Sequence, residues 1–179
     1  MPNNSAAQMT NKKVSVEAML FSLNQSLSND ISLRVTCKED LDELALQLRE
    51  EDQREMWACY RLPAREGLAL CAHRSIVTIT FLYRKKVCAV AGIAAPQLLG
   101  VQACVWSWTG REVAHCAKSF LRVSRGVLTY FQSLYPHLYA ACEQHYTAAQ
   151  RYLTRLGAKP IGKKFYLAGQ ETQFQWYQW

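Results

Sequence analysis

The sequence predicts a single α/β domain in which a mixed, mostly antiparallel sheet of six to seven strands is flanked by helices. Three runs rich in β-branched and aromatic residues, Ile76–Tyr83, Val87–Ala94 and Gln102–Trp108, are separated by short turns, as in an antiparallel meander. Residues 138–167 then read as a strand, a helix and another strand. With 179 residues, half of them apolar, the chain is long enough for one well-filled core.

The chain before the meander divides into three parts. Residues 1–13 are polar and are predicted to be a disordered tail. Residues 14–30 form a helical extension, because apolar residues recur there at helical spacing, and this helix could pack on the domain or on a partner. Residues 31–179 form the domain, which opens with a half-buried strand over 31–36 and helices over 38–49, 52–60 and 64–72.

Charge and cysteine usage limit the classes of partner and compartment. The net charge of +7 and a pI near 9.1 favour acidic partners, such as nucleotide phosphates or acidic protein surfaces. The charge permits nucleic-acid binding, but no basic and aromatic stripe indicates it. The seven cysteines form no CxxC pair, so no metal site is expected, and without a signal peptide they indicate a reducing cytoplasm. No apolar run approaches the ~20 residues of a membrane helix.

The second half of the chain is organised around residues 138–158. An apolar strand is followed by a helix with an apolar stripe, and Gly157 and Pro160 then end that helix. A long helix precedes this block, with apolar residues at 120, 123, 127, 128 and 131, and ends before Pro136. Two strands, over 161–167 and 172–179, complete the sheet.

This order of elements resembles the GCN5-related N-acetyltransferase (GNAT) fold. In that family the stretch after the fifth strand reads approximately Asn-x-x-Ala-x-x-x-Tyr-x-x-x-Gly-Phe. Ala149 and Gly157 match it, whereas Tyr146, Leu153 and Ala158 replace the Asn, Tyr and Phe. The family Tyr often reprotonates the coenzyme A thiolate, and Tyr152 is one position away, about 100° around the helix.

The resemblance implies acetyl-CoA as the cofactor and a phosphate-binding turn after the fourth strand. The candidate cofactor-binding residues are Trp108, Gly110, Arg111 and Ala114. In the family, backbone N–H groups of a glycine-rich loop and a helix N-terminus bind the pyrophosphate. Here Gly110 precedes Arg111 and no further glycine follows until Gly126, so the loop is degraded relative to the family pattern.

Acetyl transfer to an amine requires a base and donors for the oxyanion. The candidate catalytic residues are Glu143, at the end of the fifth strand, His145, and Tyr152 as an acid. Glu143 and His145 could equally cap the following helix or lie in solvent, and Tyr152 could simply pack.

Residues 106–179 also resemble a narrower group, the GNAT-like internal virion proteins of short-tailed phages. Two function classes follow. In the first, the chain is a phage-type GNAT-fold protein that acts in the virion or the host cytoplasm through protein partners; the missing glycines and Leu153 favour this class. In the second, it is an active acetyl-CoA-dependent N-acetyltransferase acting on an amine of a protein or small molecule, which the fold favours by analogy. The sequence leaves open whether the chain is an enzyme.

Overall fold

The computed structural model describes residues 16–27, 30–95, 100–167 and 171–179. The tail expected over 1–13 lies outside the described residues. So do parts of the turn expected near residue 29, of the loop over 96–100 and of the turn over 168–171.

The predicted fold class is confirmed: within the described residues, six helices flank one seven-stranded sheet with the order β1-β2-β3-β4-β5-β7-β6. Adjacent strands are antiparallel except β4 and β5, which are parallel. The elements in chain order are α1 (residues 16–26), β1 (Ile31–Val35), α2 (Lys38–Gln47), α3 (Glu50–Tyr60), α4 (Ala64–His73), β2 (Val77–Tyr83), β3 (Lys86–Ala94), β4 (Gln102–Thr109), α5 (Val113–Leu134), β5 (His137–Glu143), α6 (Thr147–Arg155), β6 (Lys159–Tyr166) and β7 (Gln173–Gln178).

Local sequence signals account for several element ends. Arg84 and Lys85 both adopt positive φ, at 49° and 68°, and make the tight turn between β2 and β3. Asp40 caps α2 by accepting a hydrogen bond from the N–H of Cys37 at 3.1 Å. Pro63 precedes the first residue of α4, where its missing N–H costs nothing.

The sheet separates two hydrophobic cores. On one face, α1 and α5 pack against residues such as Ile79 and Phe81 of β2. On the other face, α2, α3 and α4 bury Val90 of β3 together with Trp108 of β4. Burial on both faces explains why β3 reads as a continuous apolar run rather than an alternating one.

Helix α1 packs on the domain itself. Val16 and Leu20 are buried in the α5-side core. Asn24 makes two hydrogen bonds to the backbone of Leu33, through Nδ2 to the carbonyl at 2.9 Å and through Oδ1 from the N–H at 2.8 Å. These bonds satisfy part of the outer edge of β1, which would otherwise present unpaired backbone groups.

The sheet opens between β4 and β5, and this opening positions the site. The two strands pair only over Gln102–Cys104 and His137–Tyr139. Beyond that point β4 continues beside β3 and β5 continues beside β7. Beyond these three paired positions, the facing edges of β4 and β5 make no hydrogen bonds to each other.

Gly92→Ala should destabilise the fold by about 1–3 kcal/mol, because it overpacks a filled site. A Cβ at Gly92 would lie 2.5 Å from Cζ2 of Trp106, whose Nε1 donates to Ser75 Oγ at 2.8 Å. Chemical denaturation measures the change. Trp106→Phe replaces the clashing indole by a smaller ring. The double variant Gly92→Ala/Trp106→Phe should therefore lose less stability than the sum of the two single variants. An unchanged denaturation midpoint for Gly92→Ala would contradict the packing described.

Candidate active site

A cavity of about 450 Å³ occupies the gap between β4 and β5 and extends between two helices. Helix α5 lines it with Phe120 and Leu121, and α6 lines it with Ala148 and Tyr152. Ala117 of α5 and Ala148 are both solvent-exposed, so the cavity reaches solvent between these helices. An apolar cleft of this size with a few converging polar groups is typical of a small-molecule site.

Two carboxylates of α3 bridge the separated strands. Asp52 and Glu55 lie three residues apart and therefore on one face of the helix. Asp52 Oδ1 accepts the N–H of Thr109 on β4 at 3.0 Å, while Glu55 Oε1 accepts the N–H of Glu143 on β5 at 2.6 Å. The helix thus supplies acceptors to strand edges that no neighbouring strand satisfies.

Asp52 is the centre of a buried polar network. Its Oδ2 accepts hydrogen bonds from the Thr109 hydroxyl at 2.9 Å, the Tyr146 hydroxyl at 2.6 Å and Arg49 Nε at 3.0 Å. Arg49 also donates to the Tyr146 hydroxyl and lies over the Tyr146 ring, 5.5 Å from its centroid. Burial raises the pKa of Asp52, and the Arg49 charge and the Thr109 bonds oppose that rise. The network ties β4, α3 and the start of α6 together.

Glu55 is a buried carboxyl on the cavity wall with no cation bonded to it in the described part of the chain. Burial raises its pKa to about 7, against the N–H bond from Glu143, which favours the ionised form. The nearby charges of Asp52 and Glu143 contribute to the same rise. A carboxyl that titrates near neutral pH can both accept and release a proton at physiological pH.

The raised pKa of Glu55 predicts a specific dependence of stability on pH. Below its ordinary pKa of 4.5 the group is protonated in both states; between 4.5 and about 7 the folded state binds more protons than the unfolded state. The free energy of unfolding should therefore fall by about 3 kcal/mol as pH rises through this window, from the shift at 1.36 kcal/mol per unit. Glu55→Gln should remove that decline. Denaturation curves of both proteins at several pH values measure it, and parallel pH profiles would contradict the assignment.

The open edge of β4 offers backbone groups to the cavity. Both the N–H and the C=O of Thr109 point away from β3, to Asp52 and to the N–H of Arg49. Alternation along a strand directs the corresponding groups of Val105 and Ser107 to the same side. Ser107 Oγ is also buried on the cavity wall and has no hydrogen-bond partner among the described residues. An orphaned hydroxyl beside open backbone groups fits a ligand with amides.

The predicted catalytic residues are only partly brought together. Tyr152 lines the cavity, stacked on Phe120 with ring centroids 5.4 Å apart. Glu143 reaches Glu55 through its main chain, while its Oε1 accepts the N–H of His145 at 3.0 Å. His145 is exposed in the turn before α6 and is not a cavity-lining residue. These roles stay predictions, with Tyr152 the candidate whose side chain faces the cavity.

The predicted phosphate-binding turn directs its backbone into the protein. The N–H of Gly110 donates to the carbonyl of Cys88 at 2.8 Å, and the N–H of Arg111 donates to the carbonyl of Gln47 at 3.0 Å. The N–H of Ala114 donates back to Arg111 at 3.2 Å. A Cβ on Gly110 would lie 2.7 Å from Gln47 Oε1, so this glycine serves contact with α2. The N–H groups of the three residues are therefore already used.

Trp108 precedes this turn and Glu112 lies within it. The indole of Trp108 is buried in the core under α2, α3 and α4, where Nε1 donates to Cys71 Sγ at 3.4 Å. Glu112 Oε1 lies 3.4 Å from Lys86 Nζ, in an exposed ion pair. The side chain of Trp108 thus contributes to packing on the face opposite α5.

Sequence reasoning missed Asp52 and Glu55, although a signal was present. Residues 52, 55, 56, 59 and 60 form one helical stripe of α3, and its other members are Met56, Cys59 and Tyr60. An apolar stripe faces the interior, so the two carboxylates within it need hydrogen-bond partners there. That interruption could have marked them.

The described residues contain no group of three or more His, Cys, Asp and Glu side chains arranged to hold a metal ion. Within those ranges the helices are also too short or too polar to cross a membrane.

Comparison with known proteins shows the fold. No family model matches the chain, and no curated protein sequence matches it. Solved structures do match: MccE, a microcin self-immunity acetyltransferase in complex with acetyl-CoA and AMP, has a TM-score of 0.63 at 12% identity, over 85% of this chain and 93% of that chain. RimL, a ribosomal α-N-protein acetyltransferase in complex with coenzyme A, has a TM-score of 0.61 at 12% identity, over 86% and 95% of the two chains. A GNAT-family acetyltransferase from Bacillus anthracis has a TM-score of 0.63 at 10% identity, over 85% and 95%.

The structural similarity covers most of each chain. The sequence identities are low, so the similarity shows the fold and nothing further. They contain nothing on the phage internal virion proteins, so that resemblance stays a prediction. The chain has the GNAT-like acetyltransferase fold.

Proposed function

We propose that this protein is an acetyl-CoA-dependent N-acetyltransferase that acts on an amine, with Glu55 as the general base. The observation that carries the proposal is a buried carboxyl with a pKa near 7 on the wall of the cavity between β4 and β5. Structures of the same fold contain acetyl-CoA or coenzyme A, which supports the choice of cofactor.

The cavity suits the acyl-carrying arm of that cofactor. The cofactor, when bound, supplies an acetyl thioester. The backbone groups of Val105 and Ser107 and the free Ser107 hydroxyl would bond the amides of the arm. Phe120 and Leu121 would cover it and exclude water, which strengthens every polar contact in the site.

Glu55 and Tyr152 would handle the protons. Glu55 accepts the proton that the acceptor amine must lose, and the N–H of Glu143 holds its carboxylate in place at 2.6 Å. Tyr152, on the cavity wall, would supply the proton that the sulfur of the leaving coenzyme A takes up. Burial raises the pKa of Tyr152, so its hydroxyl is protonated at working pH and is a weaker acid than an exposed tyrosine. The same burial makes a sulfur anion in the cavity a stronger base, which favours transfer of this proton. In this assignment Tyr152 takes the role that the family gives to the position of Leu153.

A thiol-release assay tests the proposal. Purified protein is incubated with acetyl-CoA and a panel of amines: a free N-terminal peptide, a lysine peptide, a polyamine and an amino sugar. We expect release of coenzyme A with at least one amine, and a lower rate for Tyr152→Phe than for the matched variant Tyr166→Phe, whose exposed ring lies on β6. Tyr152→Phe at the full rate would remove that residue from the mechanism. Absence of both release and acetyl-CoA binding would overturn the proposal and leave the virion role as the remaining prediction.

A further inference from the structure

The two helices that bound the cavity on its solvent side carry charge of one sign. Helices α5 and α6, which form its walls, contain five cations and no Asp or Glu. These are Lys118, Arg122, Arg125, Arg151 and Arg155. Two neighbouring helices that carry only positive charge concentrate ligands of the opposite charge at their shared surface.

The cations of α6 lie where the cavity meets solvent. Arg151 and Arg155 both line the cavity and are both exposed, one helical turn apart on the same side of α6. Across the gap, Arg125 Nη2 of α5 donates to the main-chain carbonyl of Arg155 at 3.3 Å, which brings a third guanidinium to the C-terminal end of α6.

These three arginines lack carboxylate partners in the part of the chain that the structure describes. The ion pairs found there involve Arg34, Arg49, Arg65, Arg84 and Lys86. Guanidinium groups bind phosphate oxygens with paired, charge-assisted hydrogen bonds, so an unpaired cluster beside a cavity fits a phosphorylated ligand.

The turn over 110–114 is poorly suited to bind the phosphate groups of such a ligand. The N–H groups of Gly110 and Arg111 are already donated to Cys88 and Gln47, and Glu112 adds a negative charge beside them. Phosphate binding there would require these bonds to break.

We propose that Arg151 and Arg155 of α6, together with Arg125 of α5, bind the phosphate groups of the nucleotide half of coenzyme A. This inference rests on the proposed function and adds to it the position of the phosphate site. The arm then enters the cavity between α5 and α6, and the nucleotide stays at its mouth.

The test compares ligands with and without phosphates by calorimetric titration. Coenzyme A and adenosine 3′,5′-bisphosphate carry them; S-acetylpantetheine has the arm alone. Wild-type protein should bind coenzyme A more tightly than S-acetylpantetheine, and added salt should weaken only the phosphate-bearing ligands. The double variant Arg151→Glu/Arg155→Glu should lose about tenfold to a hundredfold in affinity for coenzyme A and none for S-acetylpantetheine.

The control has the same change in net charge. Arg54→Glu/Arg74→Glu alters two exposed arginines of the α3–α4 face and should leave both affinities unchanged. Thermal melting confirms that each variant is folded. Full coenzyme A affinity in Arg151→Glu/Arg155→Glu, or a loss in Arg111→Glu alone, would overturn the inference and return the phosphates to the turn. Failure of wild-type protein to bind either coenzyme A or S-acetylpantetheine would instead overturn the proposed function.

Discussion

Glu55→Gln should lower the rate of acetyl transfer by about 10²- to 10⁴-fold, the contribution expected of a positioned general base. Gln keeps the shape of the side chain and can still accept the N–H of Glu143, which the carboxylate accepts at 2.6 Å. It cannot take a proton from the amine. Steady-state kinetics with saturating acetyl-CoA measure the loss in kcat.

The pH profile separates catalysis from folding. In the wild-type protein kcat/KM should rise with pH through a value of about 7, because Glu55 must be ionised to act. The residual kcat/KM of Glu55→Gln should not show this rise with pH. Glu51→Gln, on the exposed side of α3, is the matched control and should keep both the wild-type rate and the rise of kcat/KM with pH. A Glu55→Gln variant that is folded and retains the wild-type profile would show that the base lies elsewhere.

Asp52→Ala should destabilise the protein by about 3 kcal/mol, since it leaves several buried partners without an acceptor. The carboxylate accepts bonds from the N–H and hydroxyl of Thr109, the hydroxyl of Tyr146 and Nε of Arg49. Its removal strands the Arg49 charge, whose side chain is 27% exposed, and frees β4 from α3. Urea denaturation gives the change in free energy of unfolding.

Conservative variants of the same network show which bonds matter. Tyr146→Phe removes one donor and keeps the ring under Arg49, so it should cost about 1 kcal/mol. Asp52→Asn retains one acceptor oxygen, so its loss of stability should lie between those of Asp52→Ala and Tyr146→Phe. The losses of Asp52→Ala and Tyr146→Phe should combine non-additively, because both remove the same 2.6 Å bond. Equal stability of Asp52→Ala and wild type would contradict the network.

The fold was predictable because its signals are local. The three strand-like runs predict the meander, and the paired positive φ angles of Arg84 and Lys85 lie at one of the short turns expected between them. Helix α5 followed from its apolar period, and the structure ends it at Leu134, two residues before Pro136. Short-range periodicity and turn chemistry decide such elements, so they need no knowledge of distant partners.

The site was less predictable because its contacts are long-range. Glu55 meets Glu143 across 88 positions of sequence, and Asp52 meets Tyr146 across 94. Periodicity placed Asp52 and Glu55 on a helix but could not show that β4 and β5 separate opposite it. The sequence pattern points to candidate bases after β5, where His145 is exposed. A role for Arg151 and Arg155 in ligand binding depends on the cavity that α5 and α6 share, which the sequence pattern does not show.

The most direct test of the account is the dissociation constant for acetyl-CoA, measured by calorimetric titration. Wild-type protein should bind in the micromolar range, with a rise in Tm that grows with ligand concentration. Ala117→Trp, which places a large ring at the exposed edge of the cavity, should abolish that binding, whereas Thr129→Trp, exposed on α5 away from the cavity, should not. No heat and no shift in Tm for the wild-type protein at millimolar acetyl-CoA would contradict the account.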